Sequence, residues 1–370
     1  MADLMMGSAR HLALLSDLKC AAWEWPVPFS NGIPMLLAQR GRRVVMLASG
    51  DPFWFGAGAV VTRHLAPDEW TAHPGTSTFS LAASRLGWSV NETDCLGLHA
   101  APLSRLRPFL AADQRALVLL RDGTAVADLA HYLGDQGFGA SRLDILEALG
   151  GPHERIRSTT AATMAYDDIV HPVAVGVSFV GNGVGLPKTS GLPDLLFDHD
   201  GQMTKRPVRA LTLSALAPRP GEMLWDIGAG SGSVGIEWLL AHPSTRAIGF
   251  EADPVRAARA RTNAAALGVD RLEMVVGRAP DSLPDDGSPD AVFIGGGLSC
   301  VLLEALWARL RTRTRLVVNA VTLESEALLA EWHGARGGGL LRIELSEALP
   351  LGARRGWRAS YPIMQWSVVL

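Results

Sequence analysis

Short apolar runs alternate with segments of helical pattern along the whole chain. In the first half these runs are RRVVMLASG, ALVLLRDG, LDILEALGG and PVAVGVSFV; in the second half they are MLWDIGAG, RAIGFEAD, LEMVVGRA, DAVFIGGG and RLVVNAVT. Apolar runs of this length, separated by helices, are typical of parallel strands that are covered on both faces. The pattern therefore predicts an α/β fold in both halves of the chain.

A change in composition near the middle divides the chain. The strand-like run HPVAVGVSFVG (171–181) is followed by NGVGLPKTSGLPD (182–194), which is rich in glycine, proline and serine, as connecting segments are. The 370 residues are enough for two globular domains with full cores. We therefore expect a first domain over residues 1–181, a linker over 182–202 and a second domain over 203–370.

The composition argues against several kinds of site. A net charge of −3 and a pI of about 6.4 provide no basic field for nucleic acid or for an acidic membrane. Cys20, Cys95 and Cys300 are scattered without CxxC spacing, which indicates a reducing compartment without disulfides or a zinc site. The N-terminal segment lacks signal-peptide architecture, and no long uncharged apolar run occurs. We expect a cytoplasmic protein that binds neither membranes nor nucleic acid and holds no metal.

The segment MLWDIGAGSGSVGIEWL (223–239) has the pattern of a strand, a glycine turn and a helix. A dinucleotide fingerprint needs a third glycine at position 233, which is Ser233, and a phosphate-binding P-loop needs a lysine that is absent here. The pattern D-x-G-x-G-x-G fits S-adenosylmethionine, because the turn passes beside the methionine tail and helix N–H groups accept its carboxylate. We therefore expect a class I, Rossmann-like methyltransferase site here.

A second acid supports this interpretation. Glu251 ends the next apolar run, RAIGFEAD, where a carboxylate can accept hydrogen bonds from both hydroxyls of a cofactor ribose. After the third run, Gly277, Arg278 and Ala279 are expected at the adenine edge. Many methyltransferases have an acid there; with Arg278 in its place, backbone groups near Ala279 must bind the adenine. The other candidates in this half are Asp226, Gly228, Ala229, Gly230, Ser231 and Gly232.

The first half contains four ordered motifs: the turn SGDP (49–52), HPGTSTFSLAASRLGW (73–88), LLRDGTAVADLAHYL (119–133) and LEALGGPHERIR (146–157). Together they resemble the tetrapyrrole methylase family, whose members carry an S-G-D-P turn and a P-G-[VT]-S-[ST] helix start. The resemblance implies two α/β lobes with S-adenosylmethionine bound between them. The residues that it makes cofactor-binding candidates are Ser49, Gly50, Asp51, Thr76, Ser77 and Thr78.

The start of the chain differs from the family pattern. Tetrapyrrole methylases open with an apolar strand that runs into a V-x-G-x-G loop, whereas MADLMMGSARHLALL resembles the segment after that loop. We expect a strand in ADLMMGS, a helix in ARHLALL, and a first-half sheet in which the family's first strand is missing.

A tetrapyrrole methylase joined to a Rossmann-like methyltransferase is similar to the bifunctional precorrin-6Y methyltransferases (decarboxylating) of cobalamin biosynthesis. The resemblance implies a tetrapyrrole substrate that the first half methylates at carbon 5. The second half would methylate carbon 15 and remove the carboxyl group of the ring-C acetate. It also implies that Thr204 contacts the cofactor.

Such a substrate carries many acetate and propionate groups, which arginines can bind in bidentate fashion. The arginines that we consider for this task are Arg206, Arg209, Arg354, Arg355 and Arg358. Methyl transfer mainly needs alignment and exclusion of water, so we expect no Ser-His-Asp triad, and the catalytic residues stay unassigned. We also expect a homo-oligomer. The alternative is an RNA or protein methyltransferase whose first half is a non-catalytic scaffold.

Overall fold

The structure, a computed structural model, describes residues 2–285 and 287–370. The described chain forms two compact units. The first runs up to Ala101 and from Ala111 to Gly183, and the second comprises Pro102–Leu110 and Val184–Leu370. The short segment Pro102–Leu110 thus belongs to the second unit, where Arg105 forms an ion pair with Asp270 at 2.7 Å.

The first unit contains two sheets. Its elements are β1 (Leu4–Gly7), α1 (Ala9–Leu12), β2 (Ala21–Glu24), α2 (Gly32–Leu37), β3 (Val44–Met46), α3 (Gly58–Val61), α4 (Thr78–Leu86), β4 (Asp94–Gly97), β5 (Arg115–Leu120), α5 (Thr124–Asp135), β6 (Arg142–Glu147), β7 (Arg155–Thr160) and β8 (Val173–Ser178). A parallel sheet has the order β2-β1-β3, and a five-stranded sheet has the order β4-β5-β8-β6-β7.

The two predicted N-terminal elements are confirmed. The strand in ADLMMGS is β1, the central strand of its sheet, and the helix in ARHLALL is the single turn α1. Among the described residues β3 pairs with one strand, β1, which leaves its other edge without a strand partner.

One expectation for the first unit is wrong. We predicted parallel strands from the apolar runs of β5, β6 and β8, but β8 pairs antiparallel with both β5 and β6. The strands β6 and β7 are antiparallel as well. The reason is physical: an uninterrupted apolar run reports that both faces of a strand are buried, and it carries no information on strand direction.

The second unit is built on a seven-stranded sheet. Its elements are α6 (Arg206–Leu216), β9 (Met223–Ile227), α7 (Ser233–Ala241), β10 (Arg246–Glu251), α8 (Pro254–Ala266), β11 (Glu273–Val276), β12 (Ala291–Ile294), α9 (Cys300–Arg309), β13 (Arg315–Ala320), α10 (Leu323–Arg336), β14 (Gly339–Ile343), β15 (Ser346–Leu351), β16 (Arg354–Ala359) and β17 (Ile363–Val369). The strand order is β11-β10-β9-β12-β13-β17-β14, parallel except for β17, which runs antiparallel to both neighbours. The predicted Rossmann-like sheet is confirmed.

Alternate residues of the central strands bury opposite faces of this sheet. Leu224 on β9 packs in the core that includes Val234 and Ile236 of α7, whereas Trp225 and Ile227 pack in the core on the other face. The strand order reverses between β9 and β12, and at such a point the loops after the carboxyl ends of parallel strands leave a crevice. The glycine turn follows β9, so it lies at this crevice.

The second unit also contains a hairpin outside its main sheet. Strands β15 and β16 form a separate two-stranded antiparallel sheet, the hairpin Ser346–Ala359, which within residues 2–285 and 287–370 shares no strand pairing with the seven-stranded sheet. None of the helices in the described ranges has the length and apolar character needed to span a membrane.

Candidate functional site

The glycine turn between β9 and α7 needs its glycines for different reasons. Gly228, Gly230 and Gly232 have φ angles of 70°, 57° and 77°, which side chains disfavour. A Cβ on Gly228 would lie 2.6 Å from the backbone nitrogen of Gly296, and one on Gly232 would lie 3.0 Å from Cβ of Ala260. A Cβ on Gly230 would meet nothing closer than 3.8 Å. The backbone at Gly230 is therefore the part of the turn that a ligand can approach.

Asp226 lies below this turn and is 1% exposed. Its Oδ2 accepts a hydrogen bond from the backbone N–H of Gly235 at 2.9 Å, whereas Oδ1 is buried and has no hydrogen-bond partner among the described residues. Burial raises the pKa of Asp226 to about 7. The hydrogen bond from Gly235 lowers this pKa, and the negative charge of Glu251 raises it by a smaller amount. This carboxyl group is therefore near the midpoint of its titration at neutral pH.

Glu251 ends β10 and holds the turn in place. Its Oε2 accepts a hydrogen bond from the N–H of Gly230 at 2.9 Å, and its Oε1 accepts one from the N–H of Asp253 at 3.0 Å. Each carboxylate oxygen has a second lone pair, so both can still accept a hydrogen bond from a ligand. The sequence suggested a ligand contact for Glu251; the contact that fixes the glycine turn was not foreseen.

These groups surround a cavity of about 640 Å³. Ten of the eleven cofactor-binding candidates in this half line it: Thr204, Asp226, Gly228, Ala229, Gly230, Ser231, Glu251, Gly277, Arg278 and Ala279. The exception is Gly232, which packs against α8. Sequence reasoning missed other lining residues, including Gln202, Lys205, Arg256, Gly295, Gly296, Gly297 and Asn319. The glycines after β12 could have been found, because parallel strands end at one edge of a sheet.

The structure corrects the assignment of Arg209 to substrate carboxylates. Arg209 is fully buried, its Nε donates to Glu237 at 2.5 Å, and its Nη1 donates to Asp194 at 3.0 Å. The guanidinium also donates to the carbonyl oxygens of Thr204 and Leu192. Its donors are thus used inside the protein, where they hold the segment that lines the cavity at Thr204.

The other four arginines considered for substrate binding are exposed, and none of them lines this cavity. Arg206 is the first residue of α6, and Arg354, Arg355 and Arg358 lie on β16 of the hairpin. The basic side chains that do line the cavity are Lys205, Arg256 and Arg278.

In the first unit, two of the motifs meet. The N–H of Gly75 donates to the carbonyl oxygen of Gly50 at 3.0 Å, and a Cβ on Gly50 would lie 2.9 Å from the carbonyl oxygen of Thr76. With a φ of 54°, Gly50 is required both by its backbone conformation and by this close approach. Ser77 caps α4 by accepting a hydrogen bond from Ser80 N–H at 3.0 Å.

A second cavity, of about 560 Å³, lies at this junction. Four of the six first-half candidates line it, namely Ser49, Asp51, Ser77 and Thr78, whereas Gly50 and Thr76 form the backbone contact beside it. Lining residues that sequence reasoning missed are Arg10, His11, Phe29, Trp54, Phe55, His99 and His171. Trp54 and Phe55 lie just after the SGDP turn, whereas folding brings the other five together with this turn from distant segments.

Two families match the chain. The family described as "Precorrin methyltransferase domain" matches residues 195–370, and the family "Tetrapyrrole (Corrin/Porphyrin) Methylases" matches residues 33–165. The chain is 47% identical to a precorrin-6Y C(5,15)-methyltransferase [decarboxylating] of Sinorhizobium sp, over 99% of this chain and 90% of that protein. It is 41% identical to the protein of the same name from Mycobacterium tuberculosis (strain CDC 1551 / Oshkosh), over 99% of this chain and 93% of that protein.

Among solved structures, the C-terminal domain of precorrin-6Y C5,15-methyltransferase from Rhodobacter capsulatus is 52% identical. The match covers 50% of this chain and 100% of that domain, with a TM-score of 0.49. Relatives that match along almost the whole chain do not favour the alternative of an RNA or protein methyltransferase with a scaffold domain.

Proposed function

The chain belongs to the family of precorrin-6Y C(5,15)-methyltransferases (decarboxylating), and on this premise we propose that it methylates a tetrapyrrole of the precorrin-6Y type at two meso carbons and decarboxylates its ring-C acetate. The observation that carries the proposal is the 47% identity to such a protein along both units. Two methylations also call for two sites, and each unit contains its own cavity beside a glycine turn. We assign carbon 5 to the first unit, and carbon 15 with the decarboxylation to the second.

We propose S-adenosylmethionine as the methyl donor in both cavities. When bound, it supplies an electrophilic methyl group on a sulfonium sulfur. In the second unit the fit rests on three features: the accessible backbone at Gly230, the free lone pairs of Glu251, and the unpaired buried Oδ1 of Asp226. Glu251 would accept the ribose hydroxyls, and the N–H groups that open α7 would face the methionine carboxylate.

Asp226 has the chemistry to bind a cation. Asp226 lines the cavity, its Oδ1 has no hydrogen-bond partner among the described residues, and an ammonium group would pair with it at low dielectric. We infer that the ionised form of Asp226 accepts a hydrogen bond from the methionine ammonium. The backbone bond from Gly235 keeps the carboxyl group in the required orientation.

We further propose that the protein is a homo-oligomer and that the hairpin β15–β16 forms the contact between copies. A two-stranded hairpin alone is only marginally stable in water, and this one pairs with no other strand in the part of its unit that the structure describes. Leu351, Trp357 and Tyr361, on it or beside it, are 71%, 78% and 87% exposed. Exposed apolar side chains of this size on a surface hairpin are typical of an interface.

The test of the function is mass analysis of precorrin-6Y incubated with the full chain and S-adenosylmethionine. We expect a product that has gained two methyl groups and lost one carbon dioxide. Gly228→Val should abolish the decarboxylation and one methylation, because the new side chain meets the backbone of Gly296. The control is Gly334→Ala, at a glycine inside α10 that has open space around it and no positive φ. An unchanged substrate mass with the unaltered chain would refute the proposal.

A further inference from the structure

Three side chains at the cavity of the first unit form one connected cluster. The Nη2 of Arg10 donates to Oγ of Ser49 at 2.9 Å and to Nε2 of His11 at 3.1 Å. The Oγ of Ser49 lies 2.8 Å from Nε2 of His11. All three residues line the cavity, and Ser49 is exposed in it as the first residue of the SGDP turn. The cluster thus joins α1 to the turn that bounds the site.

The contacts of His11 favour one tautomer of its ring. Arginine is always a donor, so its contact with Nε2 of His11 fits the tautomer in which Nε2 offers a lone pair, and Ser49 can then donate its hydroxyl proton to Nε2. Burial, and then the positive charge of Arg10, hold the pKa of His11 below its ordinary value. At neutral pH, His11 is therefore a neutral imidazole that can take up a proton through Ser49.

The proposed function requires such an acceptor, and the following inference rests on that function. A meso carbon carries one hydrogen. After methyl addition, carbon 5 carries both the methyl group and this hydrogen, and the macrocycle has one positive charge. Conjugation returns when the C–H bond breaks, its electron pair enters the ring system and the proton leaves.

We propose that Ser49 and His11 form the proton relay that removes the hydrogen from carbon 5 of the tetrapyrrole. Ser49 accepts the proton from carbon 5 while it passes its own hydroxyl proton to Nε2 of His11, which becomes an imidazolium. The imidazolium then loses the proton to water at the open cavity. Charge and atoms balance, because the macrocycle loses one proton and one positive charge and His11 gains both.

Arg10 makes the relay depend on the substrate. Its positive charge disfavours protonation of His11 while the site is empty of carboxylates. An acetate or propionate group of the substrate that pairs with Arg10 offsets this charge, so His11 becomes a better proton acceptor once the substrate is bound. The exposed faces of Phe29, Trp54 and Phe55 in the same cavity provide apolar contacts for a flat macrocycle.

The other titratable groups on the surrounding segments are Glu24 at the end of β2, Asp51 in the turn, and His99 and His171 across the same cavity. Among the described residues, none of them is hydrogen-bonded or ion-paired to His11. The pKa of His99 is also lowered, by burial and then by its electrostatic interaction with His171. A pH profile of the wild-type chain alone would therefore not identify the base, and variants are needed.

The experiment follows carbon-5 methylation by the full chain with His11→Gln, Ser49→Ala and, as a control, His153→Gln, at an exposed position that does not line the cavity. General acid–base catalysis contributes about 10²- to 10⁴-fold, so we expect His11→Gln to slow formation of the conjugated dimethyl product at least about 100-fold. A species methylated at carbon 5 but still carrying its hydrogen should accumulate and absorb at shorter wavelength, because its conjugation is interrupted.

The pH profile separates a relay from a purely structural role. The base works in its neutral form, so the wild-type rate should fall as the pH is lowered, and this acidic limb should be absent in His11→Gln. In Arg10→Gln the limb should move to higher pH, because the charge that lowers the pKa of His11 is gone. Decarboxylation by the second unit, and two cofactor sites counted by calorimetry, serve as controls for folding in every variant.

Each remaining outcome counts against the relay. A His11→Gln variant with the wild-type rate would refute it, and so would a slow variant that keeps the acidic limb and accumulates no blue-shifted species. A wild-type chain that loses carbon dioxide and gains a single methyl group would instead overturn the function assigned to the first unit, and the relay with it.

Discussion

Replacement of Asp226 by asparagine should increase the stability of the second unit at high pH while it weakens cofactor binding. Asparagine keeps an oxygen for the N–H of Gly235 but removes a carboxylate that is buried and has an unpaired Oδ1. The pKa of Asp226 rises from its ordinary value of 3.8 to about 7 on folding, so the native state binds a proton more tightly than the unfolded state. The contribution of Asp226 to stability is therefore complete below about pH 3.8 and is lost as the pH rises through about 7.

The magnitude follows from the shift. One pKa unit corresponds to about 1.4 kcal/mol, so the full penalty of ionising the folded protein is about 4 kcal/mol. About a third of it is already present at about pH 5, because the unfolded carboxyl group ionises near 3.8. Between about pH 5 and about pH 8 the wild-type protein should thus lose about 3 kcal/mol more stability than Asp226→Asn.

The assay is urea denaturation of both full-length proteins at intervals across this pH range, followed by a signal from the second unit. We compare how the free energy of unfolding of each protein changes with pH. Any pH-independent effect of replacing one carboxylate oxygen by an amide nitrogen then cancels. Calorimetric titration of S-adenosylmethionine should show binding to this unit that strengthens with pH in the wild type and stays flat in Asp226→Asn. Parallel stability curves for the two proteins would refute the assignment of a raised pKa to Asp226.

Three further results are expected. Glu251→Gln should weaken cofactor binding to the second unit by about tenfold to a few hundredfold in calorimetric titration, because hydrogen bonds to charged groups contribute about 1.5–3 kcal/mol, and an unchanged affinity would remove the ribose assignment. Arg209→Met should lower the free energy of unfolding by about 3–5 kcal/mol in urea, because Glu237 is left buried without its partner, with little effect expected for the exposed Arg206→Met control. Trp357→Ser should shift the protein toward smaller species in sedimentation experiments without loss of carbon-15 methylation, and an unchanged distribution would exclude the hairpin as the contact.

The sequence is most informative where a site is built from contiguous residues. The turn from Asp226 to Gly232 is one local motif, and Glu251 ends the next strand, so the pattern and the order of strands were enough to place them together. The cavity lined by these residues follows from a general property of parallel sheets, whose loops meet at one edge. The first unit gave less information, because its motifs indicated a family but not which side chains face one another.

What the sequence did not reveal depends on partners that are distant along the chain. Arg209 is an arginine in a segment next to the expected site, which made it a candidate for binding substrate carboxylates. In the structure its side chain lies in the core, where it donates to Glu237 and Asp194. Nothing in the local pattern distinguishes it from the exposed Arg206. In the same way, the contact between His11 and Ser49 joins positions 38 residues apart, and only the packing of α1 beside the SGDP turn brings them together.

The two sites are held in different ways, and this affects how each responds to substitution. In the second unit the polar groups at the cavity are fixed by the backbone, since Asp226 and Glu251 both accept hydrogen bonds from main-chain N–H groups. Removing either carboxyl group leaves a main-chain N–H without its acceptor, so binding and stability change together. In the first unit, Arg10, His11 and Ser49 hold one another through side chains at an open cavity, where water can replace a missing partner. Substitutions there should alter proton transfer while the fold remains, which makes the first unit the better place to separate chemistry from structure.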